Sequence, residues 1–195
     1  MKKTYIILWL ILSLVLTWCW IDWIIIKENS KDVKTTQQEE SVKEENKKRQ
    51  YENKSENFSF EFLSWWNFEE NKYGFNTIVF SPKDDEIKEN VWISVQQLQK
   101  FLSVAEYYEE TINNLEKTIK TFEEVENKNI EIWNLKWKKI IYEYKEWEIT
   151  IKSQETFLIS KENKVYIINY TATKDTFEKF LEWAETILNS FKITK

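Results

Sequence analysis

The segment that decides the fold is residues 164–172, which read Lys164-Val165-Tyr166-Ile167-Ile168-Asn169-Tyr170-Thr171-Ala172. Successive side chains of a strand point to opposite faces of a sheet, and here both faces carry apolar residues. A strand of this kind lies in the interior of a sheet that is covered on both sides. The sequence therefore predicts a layered domain in which this segment is a central strand.

Short connections link this segment to other predicted strands. Three of them precede it directly, in Val125 to Ile132, Lys138 to Lys145 and Glu148 to Ser160. Such short links favour an antiparallel meander, because parallel neighbours need a long crossover. Three further strands are predicted nearer the N-terminus, in Phe58 to Phe62, Asn76 to Ser81 and Val91 to Leu98.

Two amphipathic helices separate and close these strands. Ser103 and Glu106 have the spacing of a capping box, and apolar residues then recur every three or four positions, which predicts a helix over Val104 to Lys120. Asp175 and Glu178 form a plausible N-cap pair before the second apolar stripe. The order of strands, helix, strands and helix predicts an α+β fold, with a largely antiparallel sheet flanked by two helices.

The inward positions of these elements define a predicted core of aromatic and aliphatic residues. Its members are Phe58, Phe60, Phe62, Ile140, Tyr142, Ile151, Phe157, Ile167, Ile168, Phe177, Phe180, Leu181, Ala184, Leu188 and Phe191.

The chain has eleven tryptophans and a single glycine, whereas glycine usually makes up about 7% of a protein. Trp147 lies at a break between two alternating runs, and Trp133 and Trp137 bracket another break, where a tight turn requires positive φ. We hypothesise that the gene reads the codon UGA as glycine and that the sequence was translated with UGA as tryptophan. Trp66 is then genuine and buried, whereas Trp65, Trp133 and Trp147 are expected at turns with poorly packed indoles. A truly tryptophan-rich protein is the alternative.

The N-terminus has the order of features found in export signals. Lys2 and Lys3 are followed by the apolar stretch Tyr5 to Leu16 and then by Leu16-Thr17-Trp18-Cys19. With glycine at position 18, this motif resembles the lipobox of bacterial lipoproteins. The resemblance implies that diacylglycerol is attached to Cys19 and that residues 1–18 are removed.

An uncleaved signal anchor is the alternative to lipid attachment. The tryptophans at positions 18, 20 and 23 prolong the apolar run to Ile26, interrupted only by Asp22. A segment of about twenty residues can span a bilayer. Both interpretations place everything after residue 26 on the extracytoplasmic side.

The chain is predicted to have three parts. They are a lipoprotein signal peptide in residues 1–18, the anchor site with a disordered tether in residues 19–57, and one folded domain in residues 58–195. The tether is predicted because Lys27 to Asn57 consists almost entirely of charged, amide-bearing and hydroxyl-bearing residues, with basic and acidic side chains in balance. The net charge of −5 and the pI near 5.2 argue against a nucleic-acid partner.

Six motifs follow one another along the predicted domain. They are Phe58-Ser59-Phe60-Glu61-Phe62, Trp65-Trp66, Val91-Trp92-Ile93-Ser94-Val95, Lys138-Lys139-Ile140-Ile141-Tyr142-Glu143, residues 164–172 and Ile187-Leu188-Asn189-Ser190-Phe191-Lys192-Ile193. In this order they resemble the PsbP-like family, whose members include the extrinsic photosystem II protein and many bacterial lipoproteins of unknown role. This resemblance covers the whole predicted domain and implies an α-β-α sandwich. Fold alone is a poor guide to chemistry.

Most site chemistries find no support in the sequence. The chain has no histidine, which excludes Ser-His-Asp and Cys-His catalysis and histidine-ligated zinc. The run Asp84-Asp85-Glu86 has carboxylates that suit calcium, but Lys83 and Lys88 argue against a strong site. No catalytic, cofactor-binding or metal-binding residue is therefore predicted, and no cofactor.

Pairs of carboxylates such as Glu123 with Glu124, or Glu143 with Glu155, are present but common in a chain that is 31% charged. General acid or base catalysis would need one of them in a cleft with a perturbed pKa. The pairs alone therefore do not predict catalysis.

The sequence favours a non-catalytic, lipid-anchored extracytoplasmic domain that binds or supports a partner protein or an envelope component. Its predicted location is the cell membrane, held by acyl chains on Cys19, the one predicted functional residue. One alternative is a lipoprotein that binds a small ligand or metal in a pocket between sheet and helix. The other is a signal-anchored membrane protein with a weak hydrolase site built from carboxylates or a Ser-Lys pair.

Overall fold

The structure, a computed structural model, describes residues 47–72, 74–82 and 88–194. Ten strands and two helices lie in this part of the chain. In order they are β1 (Lys48–Asn53), β2 (Phe58–Leu63), β3 (Asn67–Lys72), β4 (Phe75–Phe80), β5 (Asn90–Gln97), α1 (Val104–Thr118), β6 (Glu123–Ile132), β7 (Leu135–Glu146), β8 (Ile149–Ile159), β9 (Lys164–Thr173), α2 (Lys174–Ser190) and β10 (Lys192–Ile193).

The main sheet has seven strands in the order β3-β4-β5-β9-β8-β7-β6, and every neighbouring pair is antiparallel. Strand β9 lies at its centre, as its two apolar faces predict. A small sheet, β1-β2-β10, lies beside it. The predicted α+β class, a largely antiparallel sheet with two helices, is confirmed.

The two helices are associated with separate apolar clusters. Helix α2 buries five side chains in the larger cluster, the α2-side core, which also contains Phe58 and Tyr170. Helix α1 is associated with the α1-side core, formed by Ile140, Tyr142, Phe157, Val165 and Ile167, and none of its own residues is fully buried. The sheet is therefore held tightly by one helix and more loosely by the other.

The predicted core is confirmed except at one position. Leu181 is only partly buried at the edge of the α2-side core, whereas Phe180 is 1% exposed. Adjacent residues of a helix point about 100° apart, and at this point of α2 it is Phe180 that points into the core. Leu181 belongs to the margin of the apolar stripe.

The predicted tether is too long at its C-terminal end. Residues 48–53 form β1, which pairs with β2 in register, so the ordered domain begins before position 58. The aromatic ring of Tyr51 packs against Phe60 and Phe68, with centroid distances of 5.3 and 4.8 Å. One aromatic side chain among charged residues was too weak a pattern to predict a strand. Strand β3 was missed for the same reason, since charged and amide residues dominate it.

The predicted N-cap of α1 is confirmed, whereas that of α2 is wrong. The capping box of Ser103 and Glu106 is present at the start of α1. Helix α2 is instead capped by Thr173, whose hydroxyl accepts a hydrogen bond from the amide of Thr176, so Asp175 lies within the first turn rather than at the N-cap.

Two of the tryptophans lie in tight turns, as predicted. Trp133 and Asn134 join β6 to β7 with φ of 52° and 62°, and Trp147 begins the turn between β7 and β8 with φ of 58°. The two side chains are 61% and 82% exposed. Positive φ at the first central residue is typical of the hairpin turns that favour glycine.

Three other tryptophans, at positions 65, 66 and 137, are buried or partly buried. Trp66 is 3% exposed, which confirms its predicted burial, and Trp137 lies inside β7 at 1% exposure. Trp65 is in a turn but is partly buried, with its ring 5.0 Å from that of Trp183. The expectation that the Trp65 indole packs poorly is wrong, because α2 brings an aromatic partner to it.

No helix in the described ranges is long and apolar enough to cross a membrane. The signal peptide, Cys19 and the tether up to residue 46 lie outside the described residues, as does the run Asp84-Asp85-Glu86.

Candidate functional site

A groove of about 510 Å³ runs between the small sheet and the C-terminal half of α2. We call it the α2 groove. Its lining is mostly polar and charged, and consists of Lys48, Gln50, Ser59, Phe60, Glu61, Trp133, Glu182, Glu185, Thr186, Asn189, Ser190 and Lys192.

Charges of both signs line the walls of the α2 groove. Lys48 and Glu61 approach to 3.8 Å on the sheet side. On the helix side, Glu185 lies 3.2 Å from the Nζ atom of Lys139, a side chain that is almost completely buried. A groove of this kind suits a polar surface that carries both charges.

The hydroxyl of Ser190 links the two walls of the groove. It accepts a hydrogen bond from the amide of Glu61 at 2.9 Å and lies 2.7 Å from the carbonyl oxygen of Thr186. A nucleophilic serine needs a base beside its hydroxyl, whereas these contacts are to backbone groups. The geometry at Ser190 is that of a structural hydrogen bond.

Trp133 forms part of the groove wall although it lies in a turn. Its indole Nε1 donates to the carbonyl oxygen of Asn189 at 2.9 Å. The ammonium of Lys192 lies 5.0 Å from the centre of its ring, within the range of a cation–π contact. Both contacts belong to the indole, so glycine at position 133 would remove them and leave the rest of the groove lining in place.

A second candidate feature is a buried polar cluster on the opposite face of the sheet, which we call the Glu155 cluster. Its members are Glu155, Asn169, Tyr142, Ser153 and Thr171. Glu155 is 7% exposed at the centre of β8, directly opposite Asn169 of β9. The Nδ2 atom of Asn169 donates to the Tyr142 hydroxyl at 3.3 Å, and the Thr171 hydroxyl donates to Oδ1 of Asn169 at 2.8 Å.

Burial changes the acid–base properties of this cluster. It raises the pKa of the Glu155 carboxyl from 4.5 to about 7, opposed in part by a hydrogen bond with Asn169. Burial, and then the charge of Glu155, raise the pKa of the Tyr142 phenol above its usual range. Glu155 therefore titrates near neutral pH.

The carboxylate pairs seen in the sequence do not come together. Glu155 lies on the α1 side of the sheet, whereas Glu143 accepts a hydrogen bond from Lys174 of α2 at 2.7 Å on the other side. Glu123 and Glu124 are adjacent on β6, so they point to opposite faces, and Glu124 accepts a hydrogen bond from Tyr108. Neither pair can share a substrate.

The signal of the Glu155 cluster in the sequence is a pair of polar residues inside apolar strand patterns. Asn169 interrupts the apolar run of β9, and Glu155 interrupts the apolar face between Ile151 and Phe157. A buried polar residue needs a hydrogen-bond partner, so two such interruptions on neighbouring strands indicate a shared contact. Within the described ranges, no three carboxylate, cysteine or histidine side chains form a group that could hold a metal ion.

The fold is PsbP-like, as comparison with solved structures shows. PsbP of the cyanobacterium Synechocystis sp. PCC 6803 has a TM-score of 0.54 at 11% identity, over 75% of this chain and 92% of that one. LpqN, involved in cell envelope biogenesis of Mycobacterium tuberculosis, has a TM-score of 0.59 at 12% identity, over 76% and 91%. The Ran-binding protein Mog1p of Saccharomyces cerevisiae has a TM-score of 0.56 at 6% identity, over 76% and 96%. Such identities show a shared fold alone.

By sequence, the chain belongs to the DcrB family, whose model matches residues 76–190. The match begins in β4 and ends at the last residue of α2, so it includes the whole Glu155 cluster and the helical wall of the α2 groove. Comparison with curated proteins finds no match in sequence.

Proposed function

We propose that this protein is a lipid-anchored extracytoplasmic domain that binds a partner protein or an envelope component without catalysis. The observation that carries the proposal is the motif Leu16-Thr17-Trp18-Cys19, with the one cysteine of the chain, ahead of a DcrB-family domain. The roles stated for LpqN in envelope biogenesis and for Mog1p in Ran binding support a binding function on this fold.

The α2 groove is the surface that we assign to the partner. Pockets for small molecules are mostly apolar with a few polar groups, whereas this groove is lined mainly by charged and hydrogen-bonding side chains. Its opposite charges favour a polar protein or envelope surface over a small apolar ligand. The groove lies on a rigid strand and a well-buried helix, which suits a preformed interface.

Site-specific photocrosslinking tests the partner assignment. A photoreactive residue at Glu182, an exposed position in the α2 groove, is expected to trap a discrete partner in intact cells. The same residue at Glu116, an exposed glutamate of α1 on the other side of the sheet, is the matched control and is expected to give no such adduct. Equal adducts at both positions, or none at Glu182, would contradict the assignment.

The anchor is tested by Cys19→Ser, made with glycine at position 18 and expressed in a bacterium that processes lipoproteins. We expect the variant to lose lipid and to keep residues 1–18, because the thiol is the acylation site. Intact-mass measurement of the membrane fraction compares it with the parent chain. A parent chain that starts at Met1 without added acyl mass would instead establish a membrane-spanning signal anchor.

The proposal includes translation of UGA as glycine. Trp133 and Trp147 support it, because both hold positive φ and both indoles are mostly exposed. Trp66 and Trp137 are buried and belong to the genuine tryptophans. The gene provides a direct test, since a UGG codon at position 18, 133 or 147 would contradict recoding there.

Replacement of Trp147 with glycine is expected to stabilise the domain by about 1 kcal/mol. The left-handed conformation at φ of 58° disfavours a residue with a Cβ atom by about 1–2 kcal/mol, and the flexibility of glycine in the unfolded chain offsets part of the gain. Urea denaturation measures the free energy of unfolding. Trp147→Ala is the control, because it removes the indole but keeps Cβ. Equal stability of the two variants would show that the backbone is not strained at this position.

A further inference from the structure

The Glu155 cluster lies on the face of the sheet that α1 covers with partly buried side chains, and hydrogen bonds hold the chain to the sheet before and after this helix. Before α1, Asn163 donates from Nδ2 to the carbonyl oxygens of Leu98 and Lys100, at 2.9 and 3.2 Å. After α1, the Thr121 hydroxyl accepts a hydrogen bond from the amide of Lys145 at 2.7 Å. Between these attachments, no residue of α1 is fully buried. The helix is therefore a strap across the α1-side core.

The face of α1 that packs on the sheet carries aromatic side chains. Tyr107 of α1 packs edge-on against Phe157, with ring centroids 4.9 Å apart. Tyr108 donates to the carboxylate of Glu124 on β6 at 2.7 Å. These contacts close the space above the sheet without adding a positive charge to it.

The titratable groups that face Glu155 are phenols. Tyr107 faces it from α1 and Tyr142 from β7, and burial, followed by the charge of Glu155, raises the pKa of both phenols. The neighbouring strand β9 contributes the neutral Asn169. The nearby cation on β7 is Lys138. Its ammonium donates a hydrogen bond to Oδ1 of Asn127 at 2.7 Å and lies over the Tyr108 ring. Ionised Glu155 has no compensating cation among these neighbours.

We propose that α1 is a lid whose closure over the sheet requires Glu155 to be uncharged. An uncompensated buried carboxylate is strongly unfavourable, and access to water removes that penalty. Movement of α1 gives water access to Glu155 more easily than movement of α2, because α2 on the other face of the sheet buries five side chains. Opening exposes Glu155 together with the apolar residues Phe157, Ile167 and Ile140, so the protein would present a new surface when the surrounding pH rises.

Hydrogen exchange of the folded domain at pH 5 and pH 8 tests the lid. A carboxyl with a pKa of about 7 when closed and 4.5 when open favours opening by about 70-fold more at pH 8 than at pH 5. Protection factors of α1 amides, corrected for intrinsic exchange, should fall by that factor. Opening of a lid exposes little surface compared with global unfolding. The protection factors of α1 amides should therefore depend less on low urea concentrations than those of α2 amides.

Two variants connect the result to this carboxyl. Glu155→Gln stays neutral and keeps an amide partner for Asn169, so its α1 protection should be the same at both pH values. Glu155→Met, also neutral and of similar volume, provides the same readout if the glutamine variant does not fold. Glu143→Gln, on the opposite face, should retain the wild-type pH dependence. Equal α1 protection in the wild type at both pH values would overturn the proposal. So would identical urea dependence of α1 and α2 amides, since only global unfolding would then be seen.

Discussion

Replacement of Trp137 with alanine is expected to lower the free energy of unfolding by about 3–5 kcal/mol. Trp137 is 1% exposed, and its indole meets the ring of Phe191 edge-on at 5.6 Å. Loss of the side chain leaves a cavity between the sheet and the chain that follows α2. Urea denaturation monitored by circular dichroism measures the change.

Two variants define what the indole of Trp137 contributes. Trp137→Phe should lose much less stability, because it keeps an aromatic ring and removes an indole Nε1 that has no hydrogen-bond partner among the described residues. Trp147→Ala, at a side chain that is 82% exposed, should lose no stability. A loss below about 1 kcal/mol for Trp137→Ala would contradict its place in the core and would weaken the distinction between genuine and recoded tryptophans.

Replacement of Glu155 with glutamine is expected to remove a pH dependence of about 2.5 kcal/mol between pH 5 and pH 8. Burial raises the pKa of this carboxyl from 4.5 in the unfolded chain to about 7 in the folded one. The folded state therefore binds the proton more tightly. The stability that this proton contributes is complete below about pH 4.5 and is lost as the pH rises through 7.

Urea denaturation of wild type and Glu155→Gln across this pH range isolates the contribution, because the other titrating groups are common to both. At pH 8 the variant should have the higher free energy of unfolding. Its difference from wild type should be larger in its favour at pH 8 than at pH 5. A constant difference across the range would show that Glu155 is ionised in the folded protein at pH 5, and would contradict the raised pKa.

The sequence predicted the elements whose apolar pattern is long and regular. Strands β7, β8 and β9 and both helices follow from their apolar patterns, because each buries at least one face, and the capping box follows from the spacing of Ser103 and Glu106. Strands β1 and β3 have no such pattern. Their pairing partners, β2 (Phe58–Leu63) for β1 and β4 (Phe75–Phe80) for β3, supply most of the buried surface. Local sequence therefore could not reveal them.

By itself the sequence determined the α+β class, the central position of β9 and the turn positions of Trp133 and Trp147, since each depends on residues close together in the chain. Only the tertiary structure decided that Trp137, four residues after an exposed tryptophan, is in the core. It also placed Glu155 beside Asn169 and away from Glu143, and formed the α2 groove from four separated segments. These features depend on which strands pair and which face each helix covers, and therefore on contacts between residues far apart in sequence.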